Sequence, residues 1–277
     1  MSHPTLLQLL SQSAALPSIP RVVSMVLKEL EADDPDPRRV SALLSMDPML
    51  VGRMIKLSNS AFFATSREVG SVEAALSILG IAKARTVVTA VALGNTFKSV
   101  PGIDLAAFWR YSLNSAKLAK PLAASLGLSD TTAFTSALLH AIGELVLYTA
   151  TPRAGHALAG HDVFALDRIQ TQRSLLGYSF VEVSGAFARQ WEFPEVIVEA
   201  LERQDEPGED DFFDALAATV YMASWRARTI ELRMDAVAMQ ATFPEHVAGA
   251  LHLDMEKVLH NDPSAWTTTR EVAIFLD

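Results

Sequence analysis

Apolar residues in this chain recur at spacings of three and four almost from end to end and nowhere alternate convincingly at two, so its elements bury helical stripes rather than sheet faces. That predicts an all-α protein. Over 277 residues, half of them hydrophobic, there is apolar volume for a continuous core in one large domain or two moderate lobes. The clearest break is Ser99-Val100-Pro101-Gly102, where Pro and Gly together punctuate the chain. We therefore expect a two-lobed helical bundle, with an N-terminal lobe over residues 1–100 and a second lobe over 101–277.

Start and stop signals place most of the helices. Asp47-Pro48 ends one helix and opens the next, Asp as the cap and Pro at the first helical position. Ser71 to Leu79 stops at Gly80, where a left-handed terminal residue is expected, and helix resumes through Val87, Val88 and Val91. Asp104 caps a helix running from Leu105 to Leu126, with a kink expected at Pro121. Ser129-Asp130 opens another. Ser179 and Glu182 have capping-box spacing, and Pro194 starts a helix that runs to about Arg203. The acidic run Asp205 to Asp211 reads as a solvated connection, followed by helix from Phe212 to Leu232 and shorter helices to Leu259.

Composition excludes several classes of function. A net charge of −9 argues against the broad basic surface that neutralises nucleic-acid phosphates or docks on anionic lipid. The absence of cysteine removes disulfides, thiolate metal sites and thiol nucleophiles, and fits a reducing cytoplasm. The N-terminus lacks the basic head and long apolar run of a secretory signal and reads as a short amphipathic helix. The apolar windows around Val87 to Leu93 and Ala137 to Tyr148 are interrupted by Gly94 and by His140 and Glu144, so buried core helices are expected rather than membrane spans.

The stretch Leu138-Leu139-His140-Ala141-Ile142-Gly143-Glu144 sets a His in the apolar frame of a metal-binding helix, yet Ala141 stands where an Asp would follow. A divalent cation held by imidazole and carboxylate needs several ligands converging from different helices, and a methyl group has no lone pair. His140 alone cannot hold a catalytic metal.

Taken in order, several segments resemble the HDOD (HD-related output domain) family of the HD phosphohydrolase superfamily. They are Leu16 to Pro20, Ser45 to Leu50 with its Asp-Pro, Leu57 to Phe63 with its Asn-Ser-Ala-Phe, and Glu73 to Gly80. Phe108 to Leu113, Leu138 to Gly143 and Trp191 to Pro194 follow, so the resemblance covers about residues 16–225. It implies an HD-like helical fold with a degenerate metal site. Where an active enzyme of the superfamily places its first His this chain has Tyr111, and the His-Asp pair is reduced to His140-Ala141. Positions for further histidines read Phe180 and Gln204, and the late helical Asp corresponds to Ser224. Phenol, methyl, phenyl and amide groups are poor replacements for imidazole and carboxylate. The resemblance thus implies no catalytic residues, no metal and no cofactor.

Each remaining candidate has a plain structural reading beside its functional one. His140 is read as a hydrogen-bonded core histidine, and His161-Asp162 as a loop or helix start, with His156 off its face. Asp47 caps a helix, while Asn59 and Ser60 pin the turn towards Phe62 and Phe63, although Asp47, Asn59 and Ser60 together form a candidate contact surface. Arg53, Lys56, Lys83 and Arg85 read as scattered solvated charges rather than a phosphate-seeking patch. Trp109, Trp191 and Trp225 read as core.

The reading that follows is a non-catalytic bacterial signal-transduction protein of the cytoplasm, an output or adaptor module working through contacts with a protein partner, with self-association left open. Nucleic acid and membrane are not expected as partners. A candidate pocket is placed at the junction of the lobes around Tyr111 and His140, flanked by Trp109 and Arg110. The alternatives are a metal-dependent phosphohydrolase or phosphodiesterase using His140, Glu144, His156 and His161, and a sensor binding a nucleotide second messenger near Tyr111 through Arg110 and Lys117.

Overall fold

The computed structural model describes residues 20–30, 34–59, 68–150, 152–208, 213–260 and 266–276. Among these residues the regular elements are all helical, as the periodicity requires. The expected N-terminal helix, Ser60, Phe62, Phe63 and residues 209–212 lie outside them. In chain order the helices are α1 (Arg21–Leu30), α2 (Pro37–Leu44), α3 (Pro48–Ser58), α4 (Val72–Leu79), α5 (Ile81–Thr96), α6 (Leu105–Ser125), α7 (Asp130–Leu139), α8 (Ile142–Ala150) and α9 (Pro152–Ala157). They continue with α10 (Arg168–Leu176), α11 (Phe180–Gln190), α12 (Glu195–Glu202), α13 (Ala215–Glu231), α14 (Ala236–Ala241), α15 (Glu245–Ala250), α16 (Met255–His260) and α17 (Thr269–Leu276).

Two compact units divide the chain between Ser99 and Val100, and the last segment, Thr268–Asp277, belongs with the first unit. This differs from the expected assignment of everything after residue 100 to the second lobe. The reason is packing: α17 lies on α5 and α3 and buries Val272 and Phe275. Gly94 permits the approach, since a Cβ there would sit 3.0 Å from the Phe275 backbone. Thr268 starts the helix by donating N–H and hydroxyl bonds to Glu271 Oε2, at 2.8 and 3.0 Å.

In the first unit, α1, α3 and α4 also rest on α5 around Val26, Leu44, Leu50, Met54, Val87 and Val91. Each such side chain contributes roughly 1.5–3 kcal/mol by leaving water. Asp47 accepts from the Leu50 N–H at 3.2 Å, the expected cap, and Asn59 clamps Val69 in both directions at 2.7 Å. The chain passes Gly80 at φ 76° and ψ 167°, outside the left-handed helical well expected there. Arg53 is buried and bonds Asn95 Oδ1, so it is not the solvated charge that its sequence context suggested.

The second unit is organised on α6, which continues through Pro121 and packs along both α13 and α7. The expected caps are present: Asp104 accepts from Ala106 and Ala107 N–H, Ser129 from Thr132, and Ser179 with Glu182 closes a reciprocal capping box. Against α8 lies α11, followed by α12. The stretch Asp130–Ala150 is long and apolar enough to cross a bilayer by length and composition, contrary to the expectation from its sequence. In the fold 83% of its most apolar window is buried, and the turn at His140 and Ala141 divides it into α7 and α8. Trp109, Trp191 and Trp225 are all core, and Trp225 meets Phe243 edge to face at 5.4 Å.

Candidate functional site: the His140 turn

His140 sits where α7 gives way to α8, and the chain around it is held from two sides. Its carbonyl accepts from Ser184 Oγ on α11 at 3.0 Å and from Gln204 Nε2, just beyond α12, at 2.9 Å. Ser184 Oγ in turn accepts the Gly143 N–H at 2.9 Å. Gly143 is required by the closeness of α11, because a Cβ there would lie 2.1 Å from the Phe180 carbonyl oxygen. The His-Ala-Ile-Gly frame is therefore a helix-crossing device.

The imidazole is fully buried, and its Nδ1 lies 2.6 Å from the Ala137 carbonyl, which makes Nδ1 the protonated nitrogen of the neutral ring. Nε2 then carries a lone pair and finds no hydrogen-bond partner among the described residues. Burial holds the ring's pKa down at about 3, with the Ala137 bond working against this and the positive charge of Arg228 working with it. The ring of Tyr111 on α6 stands edge-on to His140 at 4.8 Å, and Phe164 meets Tyr111 from another direction at 5.3 Å. Arg228 on α13 donates to the Tyr111 hydroxyl oxygen through Nε at 3.2 Å and Nη2 at 2.9 Å.

The residues expected from sequence are thus partly gathered. Tyr111, His140 and Gln204 converge, and Phe180 contributes its main chain through Gly143. Ala141 is buried and offers only its methyl group, while Ser224 bonds back to the Tyr221 carbonyl at 2.9 Å. Trp109, Tyr111 and His140 are 0%, 2% and 0% exposed, so none of them presents a surface to a protein partner. Arg110 turns away from the turn to pair with Glu231, whose carboxylate raises its pKa. Tyr111 and His140 both belong to the second unit.

Glu144, a proposed ligand in the hydrolase alternative, is engaged by three hydrogen bonds. Arg168 faces it with Nε–Oε1 at 2.9 Å and Nη2–Oε2 at 2.8 Å, and Gln172 Nε2 adds a bond to Oε1 at 2.9 Å. Gln172 Oε1 accepts the Phe180 N–H at 2.7 Å, tying this network to α11. Burial disfavours a charged Arg168, but the bonds and charge of Glu144 outweigh it and raise the guanidinium's pKa. His156 and His161 are exposed, and His161 enters the network only through its carbonyl, 3.3 Å from Arg168 Nη1. Among the described residues no three His, Cys, Asp or Glu side chains gather as a metal would need. Asp205, expected in a solvated run, is largely buried and pairs with Arg173 at 2.6 Å; burial raises its pKa against that pairing.

Arg228, Arg168 and Gln172 escaped the sequence reading. Only Arg228 left a signal: it lies four residues after Ser224, on the helix face of the position that the resemblance assigns to the late Asp.

Comparison with known proteins agrees with this architecture. The HDOD domain model matches residues 16–207. A crystal structure of a Shewanella amazonensis SB2B protein named "Putative phosphohydrolase" is similar at 27% identity and a TM-score of 0.81, with 99% of each chain covered. A "Putative signal transduction protein" from Marinobacter aquaeolei VT8 is similar in fold at 20% identity and a TM-score of 0.73, covering 99% of this chain and 62% of that one. An uncharacterised Treponema pallidum (strain Nichols) protein is 22% identical over 230 residues, which span 78% of this chain but only 43% of that relative's length. With the ordered motifs, the helical fold and the match over most of its length, this chain belongs to the HDOD domain family.

Proposed function

We propose that this protein is a non-catalytic output or adaptor module of bacterial signal transduction, acting through contacts with other proteins. The observation that carries the reading is the engagement of Glu144: the one carboxylate in the His140 frame is held by three hydrogen bonds from Arg168 and Gln172 and faces a buried guanidinium. To ligate a metal this carboxylate would have to give up its buried bidentate pair and leave the Arg168 charge without its partner. Beside His140 stand a phenol and a guanidinium instead of carboxylates. A cation bound there would meet the repulsion of Arg228.

Family membership supports the signalling context, as does the printed name of the Marinobacter structure. The name of the Shewanella structure points the other way, towards hydrolysis, so hydrolysis is the activity to test. Phosphomonoester and phosphodiester substrates incubated with the purified chain and manganese, iron or magnesium are expected to turn over no faster than the blank. Turnover that follows the protein through purification and vanishes in His140→Ala would overturn the non-catalytic reading. Photo-crosslinking residues placed at exposed helix positions are expected to give adducts with other polypeptides in the native host. Absence of adducts at every such position would contradict the adaptor role.

A further inference from the structure

Around the ring of Tyr111 three hydrogen-bonding valences are left over. His140 Nε2 is an acceptor with no partner in a fully buried side chain. The Tyr111 hydroxyl already accepts two N–H groups from Arg228, which leaves its own proton to donate. Arg228 spends Nε and Nη2 on that one oxygen, and among the described residues no bond engages its Nη1.

Arg228 also differs from the arginines that are paired with a carboxylate. Arg39, Arg110, Arg168, Arg173 and Arg189 each face a carboxylate. Arg228 is half-buried, has no carboxylate partner among the described residues, and lies with its guanidinium carbon 5.7 Å from the centre of the Tyr111 ring. A phenol oxygen does not neutralise a guanidinium. In a chain of net charge −9, the fold keeps one positive group beside the turn where a metal would otherwise supply the charge.

We infer that the Arg228–Tyr111–His140 cluster binds a compact oxyanion that retains a proton, with its anionic oxygen on Arg228 and Tyr111 and its hydroxyl donated to His140 Nε2. The neutral imidazole defines the class, because a lone pair accepts from an O–H and repels a bare oxyanion. Hydrogen phosphate and the terminal group of a phosphomonoester share this chemistry. Sulfate, matched in size and shape but without the proton, leaves His140 unanswered. The site needs no metal and no reaction, and it stands whether or not protein contacts carry the output.

The test is calorimetric titration of the full chain at pH 6.5 with inorganic phosphate, glycerol phosphate and sulfate, alongside imidazole 15N spectra of the wild type. Phosphate or glycerol phosphate is expected to bind with a dissociation constant of about 1 mM or tighter, and sulfate at least about tenfold more weakly. The Nε2 resonance of His140 is expected to move with saturation. Glycerol phosphate binding as well as phosphate would identify an esterified ligand; phosphate alone binding would identify the free ion. Arg228→Met should abolish binding. If that variant fails to fold, Arg228→Lys, which keeps the charge but loses the fork, should weaken binding at least about tenfold. Equal affinity for sulfate and phosphate, an unmoved His140 signal, or no binding by either phosphate probe would overturn the inference.

Discussion

Arg168 and Glu144, 24 residues apart in sequence, meet as a two-bond parallel pair at 2.9 and 2.8 Å, and neither side chain is more than 1% exposed. An ion pair so buried recovers its desolvation cost only when every remaining valence is satisfied. Here Gln172, Tyr148 and the His161 carbonyl answer most of them, at 2.9, 3.4 and 3.3 Å. The pair ties the start of α10 to α8, the helix that follows the turn at His140.

Removing one member leaves the other charged and unpaired in the interior. Arg168→Met is expected to destabilise the second unit by about 3–5 kcal/mol, and the Arg168→Met/Glu144→Leu double variant by less than that single change. Urea denaturation of the four species in a double-mutant cycle measures the coupling. An additive cycle would show that the pair contributes nothing beyond its separate packing.

The His140 imidazole makes acid stability specific. Its folded pKa of about 3 lies below the ordinary 6.5, so between these values the unfolded chain binds a proton that the folded chain refuses. The stability of the neutral buried ring is complete above 6.5 and is lost as pH falls towards 3. Wild type is expected to lose about 2 kcal/mol more than His140→Gln between pH 7.5 and pH 5. Parallel pH profiles of the two proteins would contradict this placement of the ring.

Two glycines separate close packing from open space. Gly143→Ala drives a methyl group into the Phe180 carbonyl, 2.1 Å away, and is expected to cost about 3 kcal/mol or more. Gly52, exposed within α3 with nothing within 4 Å of an added Cβ, is expected to gain about 0.5–1 kcal/mol on substitution by Ala. Thermal denaturation of both variants checks the pair, and the opposite signs are the result to look for.

Asn59→Ala removes both bonds to the Val69 backbone and is expected to destabilise the first unit by about 1 kcal/mol. Amide exchange should quicken at Val69, whose N–H loses its acceptor. Unchanged protection there would mean that the clamp is not formed in solution.

What the sequence made legible was local. Asp104, Ser129 and Ser179 announce their helices because a cap and its hydrogen-bond partner lie within three residues. The identities of Tyr111, Ala141 and Ser224, which the family resemblance sets at ligand positions, were readable for the same reason. The partners of those residues were not readable. Gln172 reaches Glu144 across 28 residues and Arg228 reaches Tyr111 across 117, and nothing in local periodicity encodes such pairings. The return of α17 to the first unit is hidden likewise, since an amphipathic terminal helix does not say which face it covers. Arg53 and Asp205 looked solvated because charge is normally exposed, and the fold buried both against specific partners.

The central claim, that the HD-like turn at His140 is a scaffold without metal chemistry, is tested most directly by metal content. The chain is purified without chelator, incubated with manganese, iron and zinc in turn, desalted and analysed by mass spectrometry. The account predicts no stoichiometric metal under any of these conditions. One or more equivalents per chain, lost in His140→Ala while the fold is retained, would contradict it.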